Sequence, residues 1–531
     1  MMSEQTELKK KLKKTWVTFF GRYGKLLPVQ LKTIPIVLEK KNAIIVSATA
    51  SGKTEAVVAP LIERFLREKW KGLSILYISP TRALVNDMYH RLKEQLDEFN
   101  ISLSLKTGDK PNFNPNNPPN FLITTPESFD SLMCRYPLSF KGIKATILDE
   151  IHLLDNTYRG DQLRILLKRL RHITENDFNV YALSATITNH KEVGGRYLED
   201  FEVVSAMSAG KREIEYTLVE SFREVFDYAK AEKLKKLLIF CNKRKTVENV
   251  ANECKKLWGS NRVVVHHGSL SKQVREEAES FMRETWCGIC IATMTLEVGI
   301  DIGDIDAIVL GEVPWSISSL LQRIGRGNRR TQKCRVFAIF RSEEEKLMLE
   351  GMFKAASEGR LEPAEYTRDL SVVVQQIFSS LYANPNGLKN DYFIDLFNGF
   401  CSENDLKDIL SHLAMEGWVE KRHDKWYATT KLMDLGEKGR IHSNIPSIKT
   451  LKVVNINSKQ VIGEVQYPID NIFMLAGKVW KIVHVQGSKI YVKPERLAAS
   501  TARFKTYTSK GQFYHFLPEH LKQTLHSAGL G

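Results

Sequence analysis

Runs of apolar, β-branched residues recur through the first two-thirds of the chain. Each is followed by a stretch whose apolar positions return every three or four residues. The first series of runs lies near 43–47, 74–79, 121–125, 144–149 and 179–184; the second lies near 236–241, 262–267, 288–293, 306–310 and 334–340. Continuous apolar strands alternating with helices predict parallel sheets covered on both faces. The expected fold class is therefore α/β: two parallel-sheet lobes of similar size, with a linker near Ser205–Arg212. The stretch PNFNPNNPP, 111–119, reads as a surface loop. The rhythm then changes. From about 364 to 440, three helical stretches precede the hairpin WVEKRHDKWYATT, which predicts a winged helix. From 447 to 497, apolar positions alternate every second residue in five short segments, which predicts a small β-barrel or sheet. The domain boundaries that follow are 1–207, 208–360, 361–442 and 443–502, with an aromatic, basic tail at 503–531 that ends in a helix.

Composition narrows the partners. At 531 residues the chain is too long for one core, and three or four domains are expected. The net charge is +15, which calls for an anionic partner. It is uneven: from Ile441 onward there are 12 Lys/Arg and 4 Asp/Glu, a net of +8. Seven scattered cysteines do not make a disulfide framework. Cys287 and Cys290 have zinc-like spacing but lie in the apolar run WCGICIAT without partners, so they read as strand core. There is no apolar run long enough for a membrane span and no signal core behind the basic LKKKLKK, so a cytoplasmic location is expected.

The candidate chemistry centres on SATASGKT, Ser47 to Thr54, between an apolar strand and a helix former run. Such a loop presents backbone N–H groups, here of Ala48, Thr49, Ala50, Ser51 and Gly52, to a triphosphate. Lys53 can neutralise the β and γ phosphates, and the Thr54 hydroxyl can ligate Mg²⁺. Asp149 and Glu150 close a later strand. Asp149 can hold Mg²⁺ through its water shell, and Glu150 can orient and deprotonate a water. Ser184-Ala185-Thr186 could relay between the nucleotide and a second ligand, or simply start a helix. Gln322, Arg326 and Arg329 lie in QRIGRGNRR, a Gly-broken basic turn that can supply arginine fingers. Four loops follow strands: Pro80-Thr81-Arg82, Thr107-Gly108-Asp109, Thr125-Pro126-Glu127-Ser128 and His266-His267-Gly268-Ser269. Each can hydrogen-bond a phosphodiester backbone, or serve as an ordinary helix cap.

Taken together, these stretches resemble superfamily 2 helicases. SATASGKT, DEIH, SAT, ATMTLEVGIDIGD (292–304) and QRIGRGNRR (322–330) carry the resemblance. YISPTRAL, ITTPES, HHGSLS and FMLAGKVWKIV make it most similar to the Lhr family, over about 490 of the 531 residues. The resemblance implies two RecA-like lobes, a winged helix and a β-barrel. It also implies a nucleic-acid-dependent ATPase that translocates 3′ to 5′ on single-stranded DNA and unwinds DNA duplexes or RNA–DNA hybrids. ATP and Mg²⁺ are the implied cofactors. By the same resemblance Gln30 reads the adenine, Gly299 and Asp301 sense the γ-phosphate and ribose, and Thr293 joins the nucleic-acid contacts. Met294 stands where related DEAD-box proteins carry Asp, and the long C-terminal extension of large Lhr proteins is absent. Between Asp306 and Gln322 there is no room for a strand-splitting pin, so the winged helix or barrel is expected to be the wedge. A monomer is expected, with the winged helix or tail open to a protein partner. An RNA helicase and an ATP-switched DNA-binding protein without unwinding activity stay open as alternatives. Removing everything after about residue 360 is expected to leave a folded two-lobe ATPase that unwinds poorly, if the tail aromatics Phe504, Tyr507, Phe513, Tyr514 and Phe516 hold a strand by stacking; if they pack as core instead, the truncated chain is expected to be insoluble.

Overall fold

The computed structural model describes residues 4–47, 51–110, 112–174, 177–185, 189–206, 213–297, 302–327, 333–361, 366–446, 450–467, 469–495, 500–502, 504 and 510–522. The chain forms two compact units, and neither is continuous in sequence. One comprises residues 1–207, 364–447 and 508–531; the other comprises 208–363 and 448–507. The expected linker residues beyond 206 fall outside the described residues up to Glu213.

The first unit is built on seven parallel strands: β1 (Asn42–Val46), β2 (Ile75–Ile78), β3 (Leu103–Lys106), β4 (Phe121–Thr124), β5 (Ala145–Leu148), β6 (Asn179–Ser184) and β7 (Phe201–Ser205). Their spatial order is β3-β4-β2-β5-β6-β1-β7. Alternate residues of one strand enter different cores. Ala43 and Ile45 pack on one face with Ile75, Tyr77 and Leu183; Ile44 and Val46 pack on the other with Leu76, Ile78 and Ala182. That double burial is why these strands read as unbroken apolar runs. The edge strands β3 and β7 are partly exposed and alternate in character, so they escape a search for such runs.

The winged helix belongs to this same unit. Helix Ser371–Ala383 is followed by β14 (Leu388–Lys389), then by helices Asn390–Phe397 and Glu403–Met415, then by the hairpin β15 (Val419–Arg422) and β16 (Lys425–Ala428), which forms a small sheet with β14. Its apolar core takes in Ile165 of the first lobe. A buried polar network also ties it there. The Asp130 carboxylate accepts from Gln162 Nε2 (3.1 Å), Gln375 Nε2 (2.9 Å), Gln376 Nε2 (2.7 Å) and the Ser379 hydroxyl. Arg169 Nη1 lies 3.6 Å from it and His442 Nδ1 3.4 Å. Burial disfavours the Asp130 charge, but the His442 hydrogen bond and the Arg169 charge outweigh it and hold this carboxyl well below its usual range. Burial opposes the charge on His442 too, yet Asp130 raises it to about 9. The tail returns to close this core. Phe513 and Phe516 pack on Phe378, and Phe516 also meets Trp418 edge-on. Phe513 is fully buried, so it is core and not an exposed stacking platform; Tyr507 lies outside the described residues.

The second unit holds six parallel strands: β8 (Glu213–Val219), β9 (Lys236–Phe240), β10 (Val263–His266), β11 (Gly288–Ala292), β12 (Ala307–Leu310) and β13 (Lys333–Ile339), ordered β10-β11-β9-β12-β13-β8. The edge strand β8, EIEYTLV, alternates polar and apolar residues and again lacks the continuous run. Cys290 is buried in β11 and, like Cys287, is free. A curled mixed sheet completes the unit: β17 (Leu451–Asn455), β18 (Val461–Val465), β19 (Ile472–Leu475), β20 (Lys478–Gln486), β21 (Lys489–Pro494) and β22 (Ser500–Thr501), ordered β18-β17-β21-β20-β19-β22. One apolar core is shared between the lobe and this half-barrel: Leu237, Val265 and Leu270 pack in the same cluster as Val453, Phe473 and Trp480. Among the described residues, no helix is long and apolar enough to cross a membrane.

Candidate nucleotide and nucleic-acid sites

Strand order assembles the first site. The neighbours β5, β6 and β1 end side by side, so residues distant in sequence meet at their carboxyl edge, where open α/β sheets bind ligands. Gly52 follows β1 with φ 80°, and it caps helix Lys53–Glu68. The left-handed backbone favours glycine there; a Cβ would lie 2.4 Å from Gln30 Nε2, the end of a flexible side chain that would have to shift. Lys53 is buried at the start of that helix. Its ammonium donates to the carbonyls of Ser47 (2.8 Å) and Ser184 (3.0 Å), at the ends of β1 and β6. The Ser51 hydroxyl is buried without a partner among the described residues. Gln30 Oε1 accepts from Leu27 N at 2.9 Å, and its Nε2 donates to the Gly52 carbonyl at 3.4 Å. Ala48, Thr49 and Ala50 lie outside the described residues.

Asp149 sits at the end of β5, buried, with the Ser79 hydroxyl 3.5 Å from its Oδ2. Burial and then the charge of Glu150 push its carboxyl above the usual range, against the pull of Lys53 and Arg91. Glu150 is held in the left-handed region, φ 42° and ψ 49°. A non-glycine residue there carries about 1–3 kcal/mol of strain, and such strain concentrates at functional sites. His152, the last residue of DEIH, is the neighbour that sequence reasoning left without a role. Its Nδ1 lies 3.1 Å from the Ser184 hydroxyl and 3.4 Å from Glu150 Oε2. Burial pushes its pKa down to about 4, so the ring is neutral at physiological pH. The signal that could have found it was its place in the quartet itself. Thr186 is outside the described residues.

Of the first lobe's nucleic-acid candidates, two hydroxyls are committed to the backbone. Thr81 caps helix Arg82–Asp97 by accepting from Leu84 N, and Thr125 caps helix Pro126–Arg135 by accepting from Ser128 N. Pro80 and Pro126 are buried beside them, and so is Ser128. Arg82 is exposed and paired with Asp109 at 2.6 Å. Gly108 abuts that pair: a Cβ would lie 2.9 Å from Arg82 Nη2, the flexible end of an exposed side chain. Thr107 is buried at the end of β3. Glu127 takes a bidentate contact from Arg159 at 2.5 and 3.1 Å. Burial raises its pKa, but the Arg159 charge and hydrogen bond dominate and lower it.

In the second unit, Glu297 is the hub that the spacing did not single out. Its carboxylate accepts from Arg323 Nε (2.7 Å) and the Ser319 hydroxyl (3.1 Å), and its carbonyl accepts from Arg326 Nε and Nη2 (3.2 and 2.8 Å). Arg326 is thus buried against its own lobe and not extended as a finger. Gln322, within helix Ile317–Ile324, is buried as well. Gly299, Asp301 and Arg329 lie outside the described residues. Thr293 is buried, with its N–H on the His266 carbonyl at 3.2 Å. Gly268 is exposed. His267 and Ser269 are buried, and His267 is fully so, with its ring turned into the fold. From Gly311 to Ser316 the chain runs directly from β12 to the next helix, leaving no pin.

Among the described residues, Asp130, Cys134 and His442 are the one His/Cys/carboxylate group close enough to share a metal. The Arg169 guanidinium and the donors already on Asp130 neutralise that cluster from within. The nucleotide site is different in kind: a lysine, a hydroxyl and two carboxylates at one sheet edge suit a metal–triphosphate.

Comparison with known proteins agrees with this geometry. Residues 27–193 match the DEAD/DEAH box helicase family, and residues 218–331 match the helicase conserved C-terminal domain. The ATP-dependent helicase Lhr-Core of Methanocaldococcus jannaschii is 32% identical, over 92% of this chain and 64% of its own length. That of Sulfolobus acidocaldarius is 29% identical, over 90% of this chain and 61% of its own. The chain therefore spans about three-fifths of the length of these relatives. Among solved structures, the Mycobacterium smegmatis helicase Lhr bound to single-stranded DNA and AMP-PNP superposes with a TM-score of 0.71 at 22% identity, over 82% of this chain and 62% of that one. The helicase MrfA bound to DNA and AMPPNP gives 0.74 at 20% identity, over 94% and 73%. These two share the fold.

Proposed function

Since the chain belongs to the superfamily 2 helicases of DEAD/DEAH type, with Lhr-Core among its relatives, we propose that it hydrolyses ATP to move along single-stranded DNA and displace a paired strand. The observation that carries this is the convergence of Lys53, Asp149 and Glu150 at adjoining strand ends, with Gly52 in a left-handed turn at the head of the next helix. Lys53 would exchange its two carbonyl partners for phosphate oxygens. Thr54 and Asp149 would hold Mg²⁺, which neutralises phosphate charge when bound. Glu150 would take the proton of the attacking water, with neutral His152 beside it to fix its orientation. Gln30 would read the adenine. Arg326 and Arg329 remain the proposed source of positive charge at the transferred phosphate; for this Arg326 must leave the Glu297 carbonyl.

The DNA reading draws on the relatives and on the +15 charge. The exposed Arg82, Asp109 and Gly268, and the backbone around Thr81, Thr107, Thr125, Glu127 and Thr293, form the proposed grip on the sugar–phosphate chain. The winged helix or the half-barrel would supply the wedge. The test is ATP hydrolysis measured without nucleic acid and with single-stranded DNA, duplex DNA or RNA, together with displacement of a 3′-tailed DNA duplex and an RNA–DNA hybrid. Stimulation by single-stranded DNA with displacement is expected. Hydrolysis without displacement would leave an ATP-switched binding protein, and stimulation by RNA alone would make it an RNA helicase.

A further inference from the structure

Glu248 is fully buried on helix Arg244–Trp258, and three donors converge on its carboxylate. Two are backbone N–H groups from the β19–β20 turn: Ala476 N to Oε1 and Gly477 N to Oε2, both at 2.7 Å. Ala476 and Gly477 both have positive φ, 59° and 67°, so the turn forms a nest of N–H groups around an anion. Lys255, a further residue of that helix, donates to the Gly477 carbonyl from the other side. The third donor is His267, whose Nε2 lies 3.0 Å from Glu248 Oε1. Ser269 N donates to His267 Nδ1 at 3.3 Å, so Nδ1 is the acceptor and Nε2 carries the proton. The chain of bonds runs from the barrel turn through Glu248 and His267 into the loop at Gly268 and Ser269.

The same loop is held from its other side. Glu464 N donates to the Ser269 carbonyl at 2.7 Å, and Ser271 N donates to the Ile462 carbonyl at 2.8 Å. The loop therefore continues the half-barrel sheet as a neighbour of β18. Gly463 permits this, because a Cβ there would lie 2.4 Å from the Ser269 carbonyl oxygen. Phe504 completes the enclosure with its ring 5.2 Å from that of His267.

We propose that Glu248 is a positioning residue for nucleic-acid binding, and that the half-barrel, acting through it, fixes the loop His267–Ser269 in the shape that grips the phosphate backbone. This rests on the single-stranded-DNA reading given above. It assigns His267 an internal role and leaves the exposed Gly268 backbone as the part that meets the ligand.

The test titrates the ATPase of the full chain with a single-stranded oligonucleotide, in wild type, Glu248→Gln and Gly463→Ala. The amide of Glu248→Gln keeps the size but turns an NH₂ toward an N–H donor. Gly463→Ala pushes the barrel strand off the loop from the opposite side. Both should raise the oligonucleotide concentration for half-maximal stimulation by about five-fold or more. The DNA-free rate and the rate at saturating DNA should stay within about two-fold of wild type, a split that general destabilisation would not give. Folded variants with unchanged DNA dependence would overturn the proposal, as would an equal loss of rate at every DNA concentration. If Glu248→Gln does not fold, Gly463→Ala decides alone. A wild-type ATPase indifferent to single-stranded DNA would instead overturn the functional reading beneath it.

Discussion

Lys53 rests on two main-chain carbonyls rather than on a carboxylate, so it can be captured by phosphate without breaking an ion pair. Lys53→Ala should abolish ATP hydrolysis, because it removes the counter-charge to the phosphates. Glu150→Gln should keep ATP bound but unhydrolysed, since Asp149 survives; filter retention of labelled ATP with single-stranded DNA measures this, and full turnover in that variant would refute the general-base role. Asp149 adds a pH dependence. Its folded-state pKa is raised by burial and the Glu150 charge, so below the raised value it holds a proton that a cation must displace. The Mg²⁺ concentration for half-maximal ATPase should therefore be higher near about pH 6 than near about pH 8; equal values would argue against Asp149 as a ligand. At this scale the sequence made Lys53, Asp149 and Glu150 legible, because their chemistry is written in residue type and spacing. It could not show that His152 stands beside Glu150 or that His267 faces inward, since both depend on which strands become neighbours.

Between elements, the seat of the winged helix on the first lobe is an ionic network closed to water, and such networks are sensitive to losing one member. Asp130→Asn leaves Arg169 and His442 buried without their counter-charge, and should lower stability by about 3–5 kcal/mol, read as a fall in the denaturant midpoint. His442 gives a pH signature of defined sign. Its folded pKa is raised to about 9, so its contribution is complete below the ordinary histidine range and is lost as pH rises through about 9. Melting temperatures of wild type and His442→Gln should converge as pH rises from neutral to alkaline; a constant gap would mean that His442 serves packing alone. The central strands, the three helices and the hairpin wing were all legible from periodicity. The edge strands β3, β7 and β8 were not, because a half-exposed strand mixes polar residues into the pattern that marks a buried one. Nor did aromatic content show that Phe513 and Phe516 close a core, since a buried ring and a stacking platform have the same composition.

For the whole molecule, a net charge of +15 predicts nucleic-acid affinity that falls steeply with salt and is nearly indifferent to sequence. Binding isotherms at two ionic strengths and on unrelated oligonucleotides check both parts. The structure revises what truncation after about residue 360 should do. The first lobe shares a core with the winged helix through Ile165, and the second shares one with the half-barrel through Leu237, Val265 and Leu270. The truncated chain should therefore expose apolar surface and be recovered as aggregate; a soluble fragment with wild-type ATPase would show that the lobes are independent after all. This interleaving was hidden from a linear reading, which ends a domain where the pattern changes and cannot see which earlier segment the next one joins. It also bears on how the protein is made. A ribosome releases the chain in order, yet Phe513 and Leu517 pack in the core that also holds Ile165. The first lobe must wait, with part of its apolar surface uncovered, while all of the second unit is synthesised. Nascent chains stalled ahead of the tail should be prime clients for holding chaperones, and slow translation of the last segments would lengthen that exposure.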